Sequence, residues 1–317
     1  MDQSPPIFIC GATGAQGGQL AALLKTDRPI HTISRNASSP AAIALLASAP
    51  DTIRVFQGSY DDQDLLLSAL KGCSAVFLNT MPFFEANKEV NEAKRIIQAA
   101  HDVETVKHFI YSSVCMTGRH TSFPGWESAS AFDKLYWESK AEIERLVAEA
   151  GFQHHLVLRP AFFMQNLLPP KVNYMFPGFA TGGSSNSRLL TLFTPETKLM
   201  FVDVGDIARF VVAALKSPDM FNDHAIELGG EEVTMDGLAV LVGKEVPGTT
   251  FRVEYVSTVE QALEEGYSEG VARAQKWQRE VGYQVDVKGL EERYGIRMTR
   301  IAEFLANHRD EVRATYS

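Results

Sequence analysis

Six short runs of β-branched, aliphatic and aromatic residues recur through the first half of the chain. They are Ile7 to Cys10, Ile30 to Ser34, Ile53 to Gln57, Ala75 to Asn79, His108 to Ser112 and His155 to Arg159. Between them lie segments with helical spacing: "GGQLAALLK", "SPAAIALLASA", "DQDLLLSALKG", "NKEVNEAKRIIQAAHD" and "YWESKAEIERLVAEAG". Several runs are apolar at successive positions, so both faces of each strand must be covered. Strands that alternate with helices achieve this through right-handed crossovers, which predicts an α/β fold with a doubly wound parallel sheet.

After Pro160 the rhythm loosens. The stretch "FFMQNLLPPKVNYMFPGFATGGSSNSRLL" is rich in aromatics, Pro and Gly and reads as an irregular insertion lining a pocket, with Phe162, Phe163, Tyr174, Phe176 and Phe179 as its rings. Further on, "LMFVDVGDIARFVVAALKSP" predicts a strand turning into a helix capped near Asp203 or Asp206, and "EQALEEGYSEGVARAQKWQREVGY" predicts a mostly helical docking segment. The expected organisation is a first domain over residues 1–160 and a smaller α/β substrate or lid region over 161–317, interleaved with it.

The turn after the first strand reads "GATGAQGG". Gly11, Gly14 and Gly17 stand at G-x-x-G-x-x-G spacing, between a strand and the start of a helix. That context suits a tight turn, close backbone approach to a pyrophosphate, and free amides at a helix N-terminus. At the end of the second strand, "HTISRNASSP" carries Arg35 where an acidic residue would meet the ribose hydroxyl of NAD, and no Asp or Glu follows until Asp51. A guanidinium there suits the 2′-phosphate of NADP(H). Ser59 and Asp61 of "GSYDD" end the third strand, and "NTMP", with Asn79, Thr80, Met81 and Pro82, ends the fourth; both lie on the cofactor side of such a sheet, where turn chemistry also explains them.

Tyr136 and Lys140 of "LYWESK" are four apart on one helix face. A phenol there can protonate a carbonyl oxygen that receives hydride, and the neighbouring ammonium can hold the nicotinamide ribose and tune the phenol. Other polar candidates read as packing. His154 and His155 have no carboxylate or Cys at metal spacing, which predicts no metal site, and Cys115 has no identifiable His partner.

The order of "GATGAQGG", "SRN", "FQGSYDD", "HFIYSSV", "WESKAEIE", "LRPAFFMQNL", "VDVGDIA" and "QREVGY" resembles the NmrA-like family of atypical short-chain dehydrogenases/reductases over nearly the whole chain. The resemblance implies a Rossmann domain carrying NADP(H), with a C-terminal region closing over the cleft. Some members of the family are reductases related to isoflavone reductases, and others bind the dinucleotide as redox sensors. It also implies cofactor contacts at Gly11, Ala12, Thr13, Gly14, Ala15 and Gln16, at Arg35, Ser59 and Asp61, and at Phe162, Phe163, Met164 and Gln165, with Lys140 on the cofactor side. One departure stands out: where extended short-chain reductases carry a Ser or Thr beyond strand five, "YSSVCMTG" has Val114, leaving Ser112, Ser113 or Thr117 as substitutes.

Three functions fit. The first is an NADPH-dependent reductase of a small apolar carbonyl, imine or enone, with Tyr136 as proton donor and Lys140 as ribose anchor. The second is a non-catalytic NADP(H) sensor acting on a protein partner, and the third an isomerase or cyclase on the same scaffold. A formal charge of −9 argues against nucleic acid or an anionic membrane as partner. "MDQSPP" lacks the features of a signal peptide, no apolar run is long enough to span a bilayer, and three cysteines suit reduced thiols. The expectation is a cytoplasmic monomer or small homo-oligomer.

Overall fold

The structure, a computed structural model, describes residues 4–81, 85, 87–180 and 186–317. Pro82 and the segment 181–185 of the aromatic stretch lie outside the described residues. In chain order the elements are β1 (Ile7–Ile9), α1 (Ala15–Leu24), β2 (Ile30–Ser34), α2 (Pro40–Ser48), β3 (Ile53–Gln57), α3 (Gln63–Leu70), β4 (Ala75–Leu78), α4 (Lys88–Asp102), β5 (His108–Ser112), α5 (Ala131–Glu149) and β6 (His154–Pro160). There follow β7 (Phe162–Phe163), α6 (Lys171–Met175), β8 (Asn186–Thr191), β9 (Lys198–Val202), α7 (Val204–Lys216), α8 (Pro218–Phe221), β10 (His224–Leu228), β11 (Glu231–Thr234) and α9 (Met235–Glu245). The chain ends with β12 (Thr250–Tyr255), α10 (Val259–Glu264), α11 (Glu269–Glu280), α12 (Val287–Tyr294), α13 (Ile301–Asn307) and α14 (Arg309–Tyr316).

Two compact units emerge. One comprises Met1–Thr121, Gly125–Pro160 and Val204–Glu227; the other comprises Ser122–Pro124, Ala161–Asp203 and Leu228–Ser317. The first is built on a seven-stranded sheet ordered β10-β6-β5-β4-β1-β2-β3, in which the pairs β3/β2, β2/β1, β1/β4, β4/β5 and β5/β6 are parallel. Phe8, Val76, Leu78, Phe109 and Tyr111 pack with Leu66, Leu70, Val90, Ile96, Ile143 and Val147 of α3, α4 and α5. Ile7, Ile9 and Phe77, which alternate with them, are buried as well, and α1 packs against α7. The sheet is therefore covered on both faces, which is why its strands read as apolar runs. The strand order reverses at the β1/β4 pair, and in open α/β sheets a ligand crevice forms outside the carboxyl ends of strands at such a point.

The second unit holds a three-stranded sheet, β11-β9-β7, and a parallel β12-β8 pair. Around them Phe176, Phe179, Phe201, Leu238, Phe304 and Tyr316 form a core.

The strand limits shift by a residue from those read in the sequence: Cys10 and Asn79 fall outside β1 and β4, and β6 gains His154 and Pro160. The larger corrections concern the second unit. The aromatic stretch is not an irregular insertion, since it contains β7, a 3-10 turn at Met164–Leu167, α6 and β8. Phe176 and Phe179 do not line a pocket; they are buried and ring-packed, and Tyr174 is exposed. Aromatic composition alone does not separate a core from a pocket, because both take rings out of water. The late helical segment is two helices, broken at Gly266 (φ +96°) and at Tyr267, whose buried hydroxyl donates to the Leu190 carbonyl.

Candidate functional site

Helix α1 starts without a side-chain cap. Gly14 is its N-cap residue, in extended backbone, whereas α2, α3 and α5 are capped by Ser39, Asp62 and Ser130. The amides of the first turn, on Ala15, Gln16 and Gly17, are therefore the ones a helix leaves unpaired. Thr13, Gly14 and Ala15 are exposed at that turn, and Ala12 is buried beneath it. Gly11 holds φ +64°, a left-handed conformation that favours glycine. At Gly17 the need is contact: a Cβ there would stand 2.4 Å from the Gly11 carbonyl oxygen and 2.8 Å from the Ala12 nitrogen. Both residues thus press α1 against the turn, the arrangement that places amides and the positive helix end before an anion. On these grounds the turn fits a dinucleotide's pyrophosphate.

A hydrogen-bonded chain crosses the same strand ends. Ser112 Oγ donates to Gln16 Oε1 (2.6 Å), and Gln16 Nε2 donates to Asn79 Oδ1 (3.1 Å), so β5, α1 and the residue after β4 are tied together. The Gly11 amide donates to the Tyr60 hydroxyl (3.2 Å), which sequence reasoning missed. Burial keeps that phenol protonated well above its usual range, and burial pushes the Cys10 thiol up to about 12.

Arg35 is exposed just past β2, and among the described residues no ion pair or hydrogen bond engages its guanidinium. Ser59 Oγ donates to Asp61 Oδ2 (3.0 Å), and Asp61 also pairs with Arg95 of α4, so these two polar residues already satisfy each other. Met81 is exposed, whereas Thr80 is buried and donates to Glu89 Oε1 (2.6 Å).

Glu89 organises the other end of the site. It stands in the first turn of α4, and its Oε1 also receives Lys140 Nζ of α5 at 2.6 Å, with both side chains at most 5% exposed. Lys140 Nζ lies 5.9 Å from the centre of the buried Tyr111 ring. One turn earlier on α5, Tyr136 is half-buried, and no hydrogen bond to its hydroxyl is found among the described residues. Burial, then the Glu89 charge, hold this phenol protonated well above its ordinary range.

The hydroxyls near Val114 are turned to local use. Ser113 Oγ and Thr117 Oγ1 are 3.3 Å apart, Thr117 Oγ1 donates to the Val114 carbonyl (2.7 Å), and Ser112 serves Gln16. Phe162, Phe163, Met164 and Gln165 belong to the second unit. There β7 pairs with Phe201 and Val202, Met164 is fully buried, and Gln165 Nε2 donates to Asp203 (2.6 Å). His155 Nε2 meets Asp223 at 3.0 Å and His154 stacks on His108, both at the start of β6, between β5 and β10. Among the described residues no cluster of His, Cys, Asp and Glu suits a metal ion, and no helix is long and apolar enough to cross a membrane.

Comparison with known proteins agrees with this architecture. The chain is 35% identical over 158 residues to the NmrA-like family domain-containing oxidoreductase notA of Aspergillus sp. (strain MF297-2), a match spanning 47% of this chain and 44% of that protein. It is 28% identical over 257 residues to the isoflavone reductase homolog IRL of Zea mays, spanning 79% of this chain and 77% of the relative. The crystal structure of NmrA, a negative transcriptional regulator in complex with NAD, superposes with a TM-score of 0.75 at 17% identity, covering 99% of this chain and 96% of NmrA, a likeness of fold. The profile of the NmrA-like family matches residues 3–305, and the chain belongs to that family.

Proposed function

We propose that this protein is an NADPH-dependent reductase of a small apolar carbonyl, imine or enone. The observation that carries the reading is the α5 pair: a half-buried Tyr136 phenol with no hydrogen bond among the described residues, one turn from the buried ammonium of Lys140. The turn at Gly11 to Gly17 and the exposed Arg35, unpaired among the described residues, support NADP(H) as the dinucleotide, held by Ala12, Thr13, Ala15 and Gln16 through the turn and by Arg35 at the 2′-phosphate. Asn79, Thr80, Met81, Ser59 and Asp61 would flank it. The names of notA and IRL, an oxidoreductase and a reductase homolog, agree with this class.

Bound NADPH supplies the hydride. Tyr136 gives its hydroxyl proton to the substrate oxygen or nitrogen as the new C–H bond forms, and the phenolate left behind regains a proton from water. Lys140 fixes the ribose. The test is NADPH consumption with a panel of quinones, aldehydes, cyclic imines and enones. Tyr136→Phe is expected to cut turnover by about 10²- to 10⁴-fold at unchanged NADPH affinity. Tight cofactor binding with no consumption across the panel overturns the reading.

A second reading rests on Val114. With no hydroxyl there to polarise a carbonyl, the fold would serve as an NADP(H) sensor for a protein partner, and it then needs different affinities for NADPH and NADP⁺. Equal dissociation constants for the two forms with the partner present exclude it.

A further inference from the structure

The buried acid on α4 has no part in the hydride chemistry described so far. We infer that Glu89 is a positioning residue for the reaction: its carboxylate, held by Thr80, fixes the Lys140 ammonium in one orientation and offsets its charge beside the Tyr136 phenol. The inference rests on the roles proposed above for Tyr136 and Lys140.

The geometry argues for more than a structural ion pair. One oxygen, Oε1, receives both Thr80 Oγ1 and Lys140 Nζ at 2.6 Å, so the ammonium is committed to one direction and its two remaining N–H groups are aimed elsewhere. Around the pair, α4 and α5 pack through Val90, Ala93, Ile143 and Val147. Apolar side chains would fill the same space without the cost of desolvating two charges, so stability alone gives little reason for the pair. Its place does: Glu89 and Thr80 follow the carboxyl end of β4, and Lys140 is one turn from Tyr136.

An uncompensated ammonium one turn away would favour the phenolate and empty Tyr136 of its proton. With Glu89 present the nearby charges sum close to zero. The other titratable groups around Tyr136 and its neighbour Tyr111 leave this balance intact. Tyr111, from β5, is kept protonated by burial, and Glu144, further along α5, is bound to Arg159 at 2.6 and 3.0 Å. Trp137, packed edge-on to Tyr136, carries no charge.

The experiment titrates Tyr136 by tyrosinate absorbance in the full chain, each protein read against its own Tyr136→Phe counterpart. Wild type is expected to show no Tyr136 step up to alkaline unfolding. Glu89→Gln is expected to bring the step at least about one pH unit below that limit. The double variant Glu89→Gln/Lys140→Met, which removes both charges, is expected to show no step up to unfolding, as in wild type. Where Glu89→Gln does not fold, Glu89→Asp keeps the charge but withdraws it by one methylene, and a smaller downward step is expected.

With an identified substrate, the kcat of Glu89→Gln falls at alkaline pH where that of wild type stays flat, at unchanged KM. A Glu89→Gln protein, or where that does not fold a Glu89→Asp protein, that shows no Tyr136 step before unfolding, or an activity loss of one factor at every pH, overturns the inference. The titration needs no turnover, so failure to reduce any carbonyl sinks the reductase reading while the titration still decides the role of Glu89.

Discussion

Gly17→Ala tests whether close packing of α1 on the glycine turn is what builds the phosphate site. The added Cβ would meet Gly11 O at 2.4 Å, Gly11 C at 2.6 Å and Ala12 N at 2.8 Å. Ordinary contact begins near 3.4 Å, so α1 and the turn must part by about 1 Å. All three atoms are backbone, and no rotamer change relieves the clash. Overpacking of this kind costs about 1–3 kcal/mol, offset in part by the better helix propensity of Ala, worth about 1 kcal/mol. A net loss of up to about 2 kcal/mol should lower Tm by up to a few degrees. Amides displaced by about 1 Å lose aligned hydrogen bonds to a phosphate, so the Kd for NADPH should rise by about 10- to 100-fold. Gly18→Ala is the control. Its Cβ would lie 3.4 Å from Ala12 O inside the helix, and the change should stabilise by up to about 1 kcal/mol at unchanged affinity. Thermal unfolding and calorimetric titration read both quantities. A Gly17→Ala protein with wild-type Tm and wild-type Kd would refute the packing argument.

Arg35→Ala should weaken NADPH binding by about tenfold or more and leave NADH binding unchanged, because only the former carries the 2′-phosphate; equal losses for both would remove Arg35 from that role. His31, His108 and His120 are held below their ordinary value of 6.5, chiefly by burial. Each binds a proton more readily in the unfolded chain, so the stability they contribute is full above pH 6.5 and is lost as pH falls through their lowered values. Tm measured from neutral to mildly acid pH should decline, and a flat profile contradicts this. Glu92 is shifted the other way, first by burial and then by Asp61, so its carboxyl holds a proton more tightly in the fold. The stability it contributes is present below the usual 4.5 and lost as pH rises through the raised value. Glu92→Gln should therefore raise Tm at neutral pH and not at acid pH.

The sheet could be read from the sequence because strands covered on both faces must be written as apolar runs, and the glycine turn because its φ and its close contact admit little else. Tyr136 and Lys140 were visible through helical spacing alone. The contacts that frame the candidate site lie beyond the reach of local pattern: Glu89 meets Lys140 across 51 positions and Tyr60 meets Gly11 across 49. A trace of the first was present. Glu89, Ala93, Ile96 and Ala100 form one i, i+4, i+7, i+11 stripe on α4, and an acid on the inward stripe needs a buried partner. Nothing comparable marked Tyr60. In the second unit composition misled, since Phe176 and Phe179 fill a core, and only Gly266 hinted that the late helical segment is two helices.

In the proposed function NADP(H) seats on the amides at the start of α1 with its 2′-phosphate on Arg35. Calorimetric titration of the full chain with NADPH and NADH tests it most directly. One saturable site that prefers NADPH and loses that preference in Arg35→Ala is expected; heats of dilution alone for both dinucleotides with the folded protein would rule that seating out.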